Sequence, residues 1–246
     1  MKKSFSVKNR EKFQKKQRSF KQEAKAFCFF NSAKICVLNF LEYNKDITKT
    51  RKAIRIRIGR GFTRHCDNLC QKEDGYTAAH SSRIAKIAHA IGSALGLSEC
   101  DMDALNEASE LHDIGKIRVS LQVLNKPGKL TDEEFEEMKK HSAYGFAIVS
   151  PEDAEIADII LSHHERYDGS GYPNRLSGKD TPYLARIIAV ADSIDAMSSD
   201  RCYRKALPWS VCVDEIIKNR GKMYDPDVVS AFDSCKHEIM AILTRL

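Results

Sequence analysis

The chain has 246 residues, 42% hydrophobic and 30% charged, with a formal net charge of +6; that is enough to bury one good core with an appendage. One Trp, 6 Pro and 12 Gly exclude a low-complexity chain. Eight cysteines are scattered without the spacing of a secreted disulfide framework, and the closest pair, Cys66 and Cys70, lacks the second pair of a structural zinc site, so all eight are expected as reduced thiols of a cytoplasmic protein.

The charge is divided. Residues 1–65 hold 19 of the 40 Lys and Arg but 4 of the 34 acidic residues, about +15, which leaves 21 basic against 30 acidic, about −9, from residue 66 onward. A basic lead of this kind is either a well-solvated extension or a segment that contacts nucleic acid or a membrane surface. Its most apolar stretch, Phe27 to Leu41, is too short to span a bilayer and is interrupted by Asn31, Lys34 and Asn39. It also lacks the layout of a secretory signal. The IRIRI run within residues 46–60 alternates as a short strand would.

From about Asp74 the pattern turns helical. A helix from near Tyr76 to Leu95 sets Ile84, Ile87, Ala88, Ile91 and Leu95 on one face, with His80 on the same stripe. Gly96 ends it, and Ser98 with Asp101 opens a second helix that buries Leu105 and Ala108 and carries His112 inward until Gly115 stops it. Thr131 with Glu134 opens a third, whose face runs Phe135, Met138, His141, Gly145 and Ile148. Pro151 after Ser150 reads as the first residue of a fourth, which buries Ile156 and Ile160 and ends near His163 and His164. A loop with Gly169, Gly171 and Pro173 follows, then a fifth helix from Thr181-Pro182 through Leu184, Ile188, Asp192 and Asp195. Pro208 and the pair Asp225-Pro226 open two more, separated near Gly221.

Five of the eight histidines, His80, His112, His141, His163 and His164, therefore fall on inward faces near helix ends, in company with Asp113 and Asp192. One inward histidine is ordinary packing, but five with two inward carboxylates are costly without a cation. Helical bundles hold metals with side chains projected from facing helices. Imidazole and carboxylate suit divalent iron, manganese or zinc. Seven donors exceed the needs of one ion, and a pair of close divalent ions serves in-line displacement at phosphorus. His65, His89 and His237 have no such company.

The strings LHDIGK, Leu111 to Lys116, and HHERYDGSGYP, His163 to Pro173, resemble the HD-GYP phosphodiesterases of bacterial signalling, as does DSIDAMSSDRCYRK from Asp192 to Lys205. The resemblance covers roughly residues 74 to 237. It implies an all-α fold, an HD-domain helical bundle extended by C-terminal helices, occupying residues 74–246 behind a basic N-terminal extension of residues 1–73. It implies hydrolysis of cyclic di-GMP to pGpG or GMP by a hydroxide that bridges two divalent ions, commonly iron or manganese. By position, His80, His112, Asp113 and Asp192 would hold one ion. Asp113 would bridge to a second, completed by His141, His163 and His164. Trinuclear members carry a Glu four residues before the first His. Tyr76 stands there in this chain, which points to a binuclear site.

Lys116 is placed to bind phosphate and stabilise developing charge. Arg201 and Arg204 are placed to clamp the phosphodiester, Tyr172 to contact the ligand, and Asp195 to orient a histidine ligand from behind. Cys202 stands where a proline is usual and touches no ligand position. The resemblance also links the GYP loop to contacts with signalling partners, and a homodimer is left open. Two alternatives stand beside this reading: an HD-type hydrolase of another nucleotide, and a non-catalytic nucleotide-binding module.

Overall fold

The computed structural model describes residues 77–200 and 205–244. The basic extension with Phe27–Leu41 and the IRIRI run, Tyr76, His65, Arg201, Cys202 and Arg204 all lie outside the described residues. Those that are described form eight α-helices: α1 Thr77–Ala94, α2 Glu99–Leu111, α3 Leu121–Leu124, α4 Asp132–Val149, α5 Ala154–Ser162, α6 Tyr183–Ser198, α7 Trp209–Lys218 and α8 Pro226–Thr244. Two 3-10 turns, Ile114–Arg118 and Gly178–Asp180, interrupt them. Among the described residues there is no strand, only the isolated bridges Asp168–Ser177 and Arg220–Tyr224, so the all-α expectation holds.

Helix α1 lies at the centre, packed against α2, α6 and α8. Its stripe of Ile84, Ile87, Ala88 and Ile91 is fully buried, as apolar residues at a 3.6-residue period require when helices surround one face. Leu105, Ala108, Ile156, Ile160, Ile188 and Phe232 close the same core. Helix α4 carries the expected capping box: Thr131 accepts from the Glu134 backbone N–H, and the Glu134 carboxylate accepts from the Thr131 N–H at 2.7 Å. Ser98 caps α2, and its hydroxyl also donates to the Asp101 carboxylate at 2.7 Å.

Three local expectations are corrected. Pro151 does not begin a helix: it lies in a turn, and Asp153 caps α5 by accepting from the Glu155 and Ile156 N–H groups. Phe135 is not on the buried face of α4 but 46% exposed, because the inward row there is His141, Ser142, Gly145, Phe146 and Val149. Gly115 does not stop α2, which ends at Leu111 with His112 as its cap; it sits inside the following 3-10 turn. Its role is close approach. A Cβ built on Gly115 would stand 1.9 Å from the His141 carbonyl oxygen and 2.5 Å from the Gly145 nitrogen. The turn after His112-Asp113 thus rests directly on the backbone of α4, which brings Asp113 to His141.

Candidate metal centre

Four histidines are aimed by one device. The Nδ1 of His112 bonds the Ser109 carbonyl at 2.8 Å, that of His141 the Met138 carbonyl at 2.7 Å, and that of His163 the Ile160 carbonyl at 2.6 Å. Each is a bond to the residue three positions back; His112 and His163 make it as the caps of their helices and His141 from within α4. The Nδ1 of His80 meets the Asp195 carboxylate at 2.5 Å. Carbonyls and carboxylates only accept, so these four Nδ1 atoms carry hydrogens and, in the neutral rings, the lone pair is on Nε2.

Those Nε2 atoms converge. The His141 Nε2 lies 3.3 Å from that of His163 and 3.1 Å from that of His164. Two bare lone pairs at that separation repel unless something positive lies between them. Donors about 2.0–2.1 Å from one ion stand roughly 2.8–3.4 Å apart at octahedral (cis) to tetrahedral angles. His80, His112 and Asp192 form a second group, its ligand atoms within 4.8 Å of one another. In it the His80 Nε2 lies 3.6 Å from an Asp192 oxygen, and the His112 Nε2 is buried without a hydrogen-bond partner. An orphaned buried nitrogen is an unexplained cost in a bare protein and an ordinary ligand in a metalloprotein. Both groups can therefore hold a metal ion.

Asp113 stands between the groups. One carboxylate oxygen, Oδ2, lies 3.3 Å from the His112 Nε2 and 3.8 Å from the His80 Nε2, while Oδ1 lies 3.4 Å from the His141 Nε2. The Lys116 Nζ also contacts Oδ2, at 2.5 Å.

The electrostatics follow the burial. Burial pushes the Asp113 carboxyl up, but Lys116, His112 and His141 outweigh it and hold it well below the usual range. Burial, then the neighbouring imidazoles, pushes His163 and His164 well below the ordinary histidine value. Burial likewise lowers His141, against the pull of Asp113. His112 goes the other way: Asp113 and Asp192 overcome burial and raise it.

A pH prediction follows. His141, His163 and His164 bind protons less readily folded than unfolded, so the unfolded chain gains protons first as pH falls through 6.5, and stability falls with it. His112 contributes oppositely, one group against three. The metal-free protein is expected to melt at a lower temperature at about pH 5.5 than at about pH 7.5. An unchanged or higher melting temperature at the acid end would contradict this.

The surroundings include residues that the sequence reading did not single out. Asp195 is fully buried and also accepts from the Arg83 Nε at 2.5 Å and Nη2 at 3.2 Å, so Arg83 stands behind the Asp195–His80 pair. Tyr172 packs on His164 with ring centroids 4.8 Å apart, and the Lys139 Nζ lies 5.7 Å from the Tyr172 centroid and 4.7 Å from that of Phe135. Burial, reinforced by Asp113 and Asp192, raises the Tyr172 phenol above its ordinary value. Arg83, one turn beyond His80, carried a usable signal; Lys139 carried none, since a lysine on a helix is ordinary. The structure thus brings together His80, His112, Asp113, Lys116, His141, His163, His164, Tyr172, Asp192 and Asp195. His89 and His237 are exposed and stand apart.

An all-α bundle that presents two facing histidine–carboxylate groups defines a metal-binding HD-type protein. The family model described as HD domain matches residues 64–228, and with its HHE and GYP elements the chain belongs to the HD domain family, in its HD-GYP branch. It is 42% identical over 181 residues to a protein of Thermotoga maritima named cyclic di-GMP phosphodiesterase, covering 72% of this chain and 49% of that one. It is 42% identical over 162 residues to the cyclic di-GMP phosphodiesterase response regulator RpfG of Xanthomonas campestris, covering 64% and 43%. It is 35% identical over 185 residues to 3'3'-cGAMP-specific phosphodiesterase 2 of Vibrio cholerae, covering 73% and 35%. The chain thus spans about half or less of the length of these relatives. The fold is shared with an HD-GYP protein of Bdellovibrio bacteriovorus, at TM-score 0.53 and 22% identity over 65% of this chain and 52% of that one.

Proposed function

We propose that this chain is a cyclic di-GMP phosphodiesterase with a binuclear site. The observation that carries the proposal is Asp113, with one carboxylate oxygen turned to the His80–His112 side and the other to His141. His80, His112, Asp113 and Asp192 would hold one ion and Asp113, His141, His163 and His164 the other; the donors suit divalent iron, manganese or zinc, and the family resemblance favours iron or manganese. Two such ions supply an activated water and neutralise charge on the phosphoryl oxygens.

The chain's own residues do the rest. The Nδ1 bonds to Ser109, Met138, Ile160 and Asp195 fix the tautomer and orientation of these four rings. The Lys116 ammonium, 30% exposed beside Asp113, is the cation that meets the scissile phosphate. Tyr172, a phenol whose pKa burial raises further above its ordinary value, is a hydrogen-bond donor at the pocket wall. Arg201 and Arg204 are assigned to the phosphodiester from their sequence positions alone. Asp195 holds His80 from behind, so Asp195→Ala is expected to weaken metal binding by about 10–100-fold in chelator competition. Unchanged affinity would remove Asp195 from this role.

The test is turnover. Protein purified without oxygen and loaded with Mn²⁺ or Fe²⁺ is expected to convert cyclic di-GMP to pGpG or GMP; no turnover by the fully loaded protein contradicts the proposal. The similarity to a 3'3'-cGAMP-specific enzyme supports a second substrate reading, and side-by-side competition between the two cyclic dinucleotides decides between them.

We also assign residues 74–246 to the catalytic domain and place the protein in the cytoplasm. In support, no helix among the described residues is long and apolar enough to cross a membrane, and Cys100, Cys212 and Cys235 are free thiols. The basic lead, residues 1–73, is proposed to contact an anionic surface or to support a homodimer. Deletion of residues 1–60 with no change in oligomer size or in membrane or nucleic-acid binding would remove that role.

A further inference from the structure

Glu165 follows the His163–His164 doublet and is only 4% exposed. A buried carboxylate needs compensation, and here backbone amides supply part of it. One oxygen accepts the N–H of Asn174 at 2.7 Å and the other accepts that of Leu176 at 3.1 Å. Both amides lie just past the Gly171-Tyr172-Pro173 turn.

The near side of that turn rests on the same stretch of chain. A Cβ on Gly171 would stand 2.4 Å from the Arg166 nitrogen, 2.5 Å from the Glu165 Cα and 2.6 Å from the His164 carbonyl oxygen. Only glycine allows that approach. The Tyr172 N–H donates to the His164 carbonyl at 3.3 Å, and the Tyr172 ring packs on the His164 ring. Farther out, the Gly178 N–H donates to the Tyr167 carbonyl at 2.8 Å and closes the loop at its base. The two ends of the turn are therefore fastened to three consecutive residues, His164, Glu165 and Arg166.

We infer that Glu165 is a positioning residue: its carboxylate clamps the loop through Asn174 and Leu176, and so holds Tyr172 against His164 as a wall of the dinucleotide pocket. This rests on the cyclic dinucleotide reading of the site. The clamp needs two acceptors. Glutamine offers one acceptor and turns a second donor toward an amide that already donates, so Glu165→Gln removes half of it at nearly constant volume. Glu165→Asp keeps the charge but falls a methylene short, and serves as the second variant should the first not fold.

The experiment compares cyclic di-GMP with bis(p-nitrophenyl) phosphate, a small diester that lacks the guanosine arms of the dinucleotide. Glu165→Gln is expected to raise KM for cyclic di-GMP by about 10-fold, with the small diester affected several times less and metal content kept at the wild-type level. Tyr172→Ala is expected to give a similar rise, and the double variant little more than either alone, because both changes release one wall. Equal losses on both substrates, or multiplied losses in the double variant, would mean a general structural role and overturn the inference. Hydrogen exchange reads the clamp without substrate. The Asn174 and Leu176 amides are expected to exchange about 10-fold or more faster in Glu165→Gln, and unchanged exchange overturns the inference. A wild-type protein inactive on cyclic di-GMP but slow to exchange at these amides would overturn the substrate reading and the wall assigned to Tyr172, while the clamp itself stood.

Discussion

Asp113→Asn is expected to reduce turnover to below about one hundredth of wild type, and to reduce bound metal with it. The carboxylate presents Oδ2 to His80 and His112 and Oδ1 to His141. A carboxamide keeps the shape but has one acceptor oxygen, so one side would face an amide donor in place of a ligand. Its charge also disappears from beside Lys116, which contacts Oδ2 at 2.5 Å. The Lys116 ammonium, no longer balanced by this carboxylate, then opposes a cation placed beside it. Metal content and turnover, measured on the same preparation with circular dichroism as a check on the fold, would separate loss of ligand from loss of structure. Near-normal turnover in the variant would mean that Asp113 does not join the two groups.

Gly115→Ala is expected to be the most destabilising methyl addition near the site. The added Cβ would meet the His141 carbonyl oxygen at 1.9 Å and the Gly145 nitrogen at 2.5 Å, both backbone atoms in the middle of a helix. Neither can move without shifting α4, so a cost of about 3 kcal/mol is expected, at the upper end for overpacking. That corresponds to a fall in melting temperature of roughly 6–12 °C for a domain of this size. Any relief must come from lifting the 3-10 turn off α4, which carries Asp113 away from His141. Metal content should therefore fall along with stability. Gly145→Ala is the control: its Cβ meets side-chain methyls, the Ile160 Cγ2 at 2.8 Å and the Ile114 Cγ2 at 3.4 Å, and the nearest backbone atom outside α4, the Gly115 nitrogen, is at 3.6 Å, an ordinary contact. If Gly115→Ala proves no worse than this control, the close approach does not set the position of the HD pair.

Much of this molecule is legible in the sequence because its signals are local. The α1 stripe from Ile84 to Ile91 and the Thr131–Glu134 capping box are fixed by spacing along one helix, and both stand where that spacing puts them. The convergence of His80, His112, His141, His163 and His164 could be anticipated for a similar reason: each lies on an inward face or caps a helix, and a bundle has one interior. What could not be read is tertiary. Gly115 has the look of a helix stop, but its small size is required by the backbone of α4, 26 residues farther along at His141. Pro151 has the look of a helix start, yet Asp153 supplies a side-chain acceptor for the free amides of α5, which proline cannot. Glu165 gives no periodic signal, because its partners are amides at Asn174 and Leu176 whose position depends on how the loop folds back. The carbonyls that orient the rings belong to Ser109, Met138 and Ile160, residues whose side chains say nothing of that task.

Metal stoichiometry tests the central claim most directly. Protein prepared without oxygen, saturated with Mn²⁺ or Fe²⁺, freed of excess and analysed for metal is predicted to retain two ions per chain, while His141→Ala retains one. A saturated wild-type protein that holds a single ion, or none, would contradict a pair of cations spanned by Asp113.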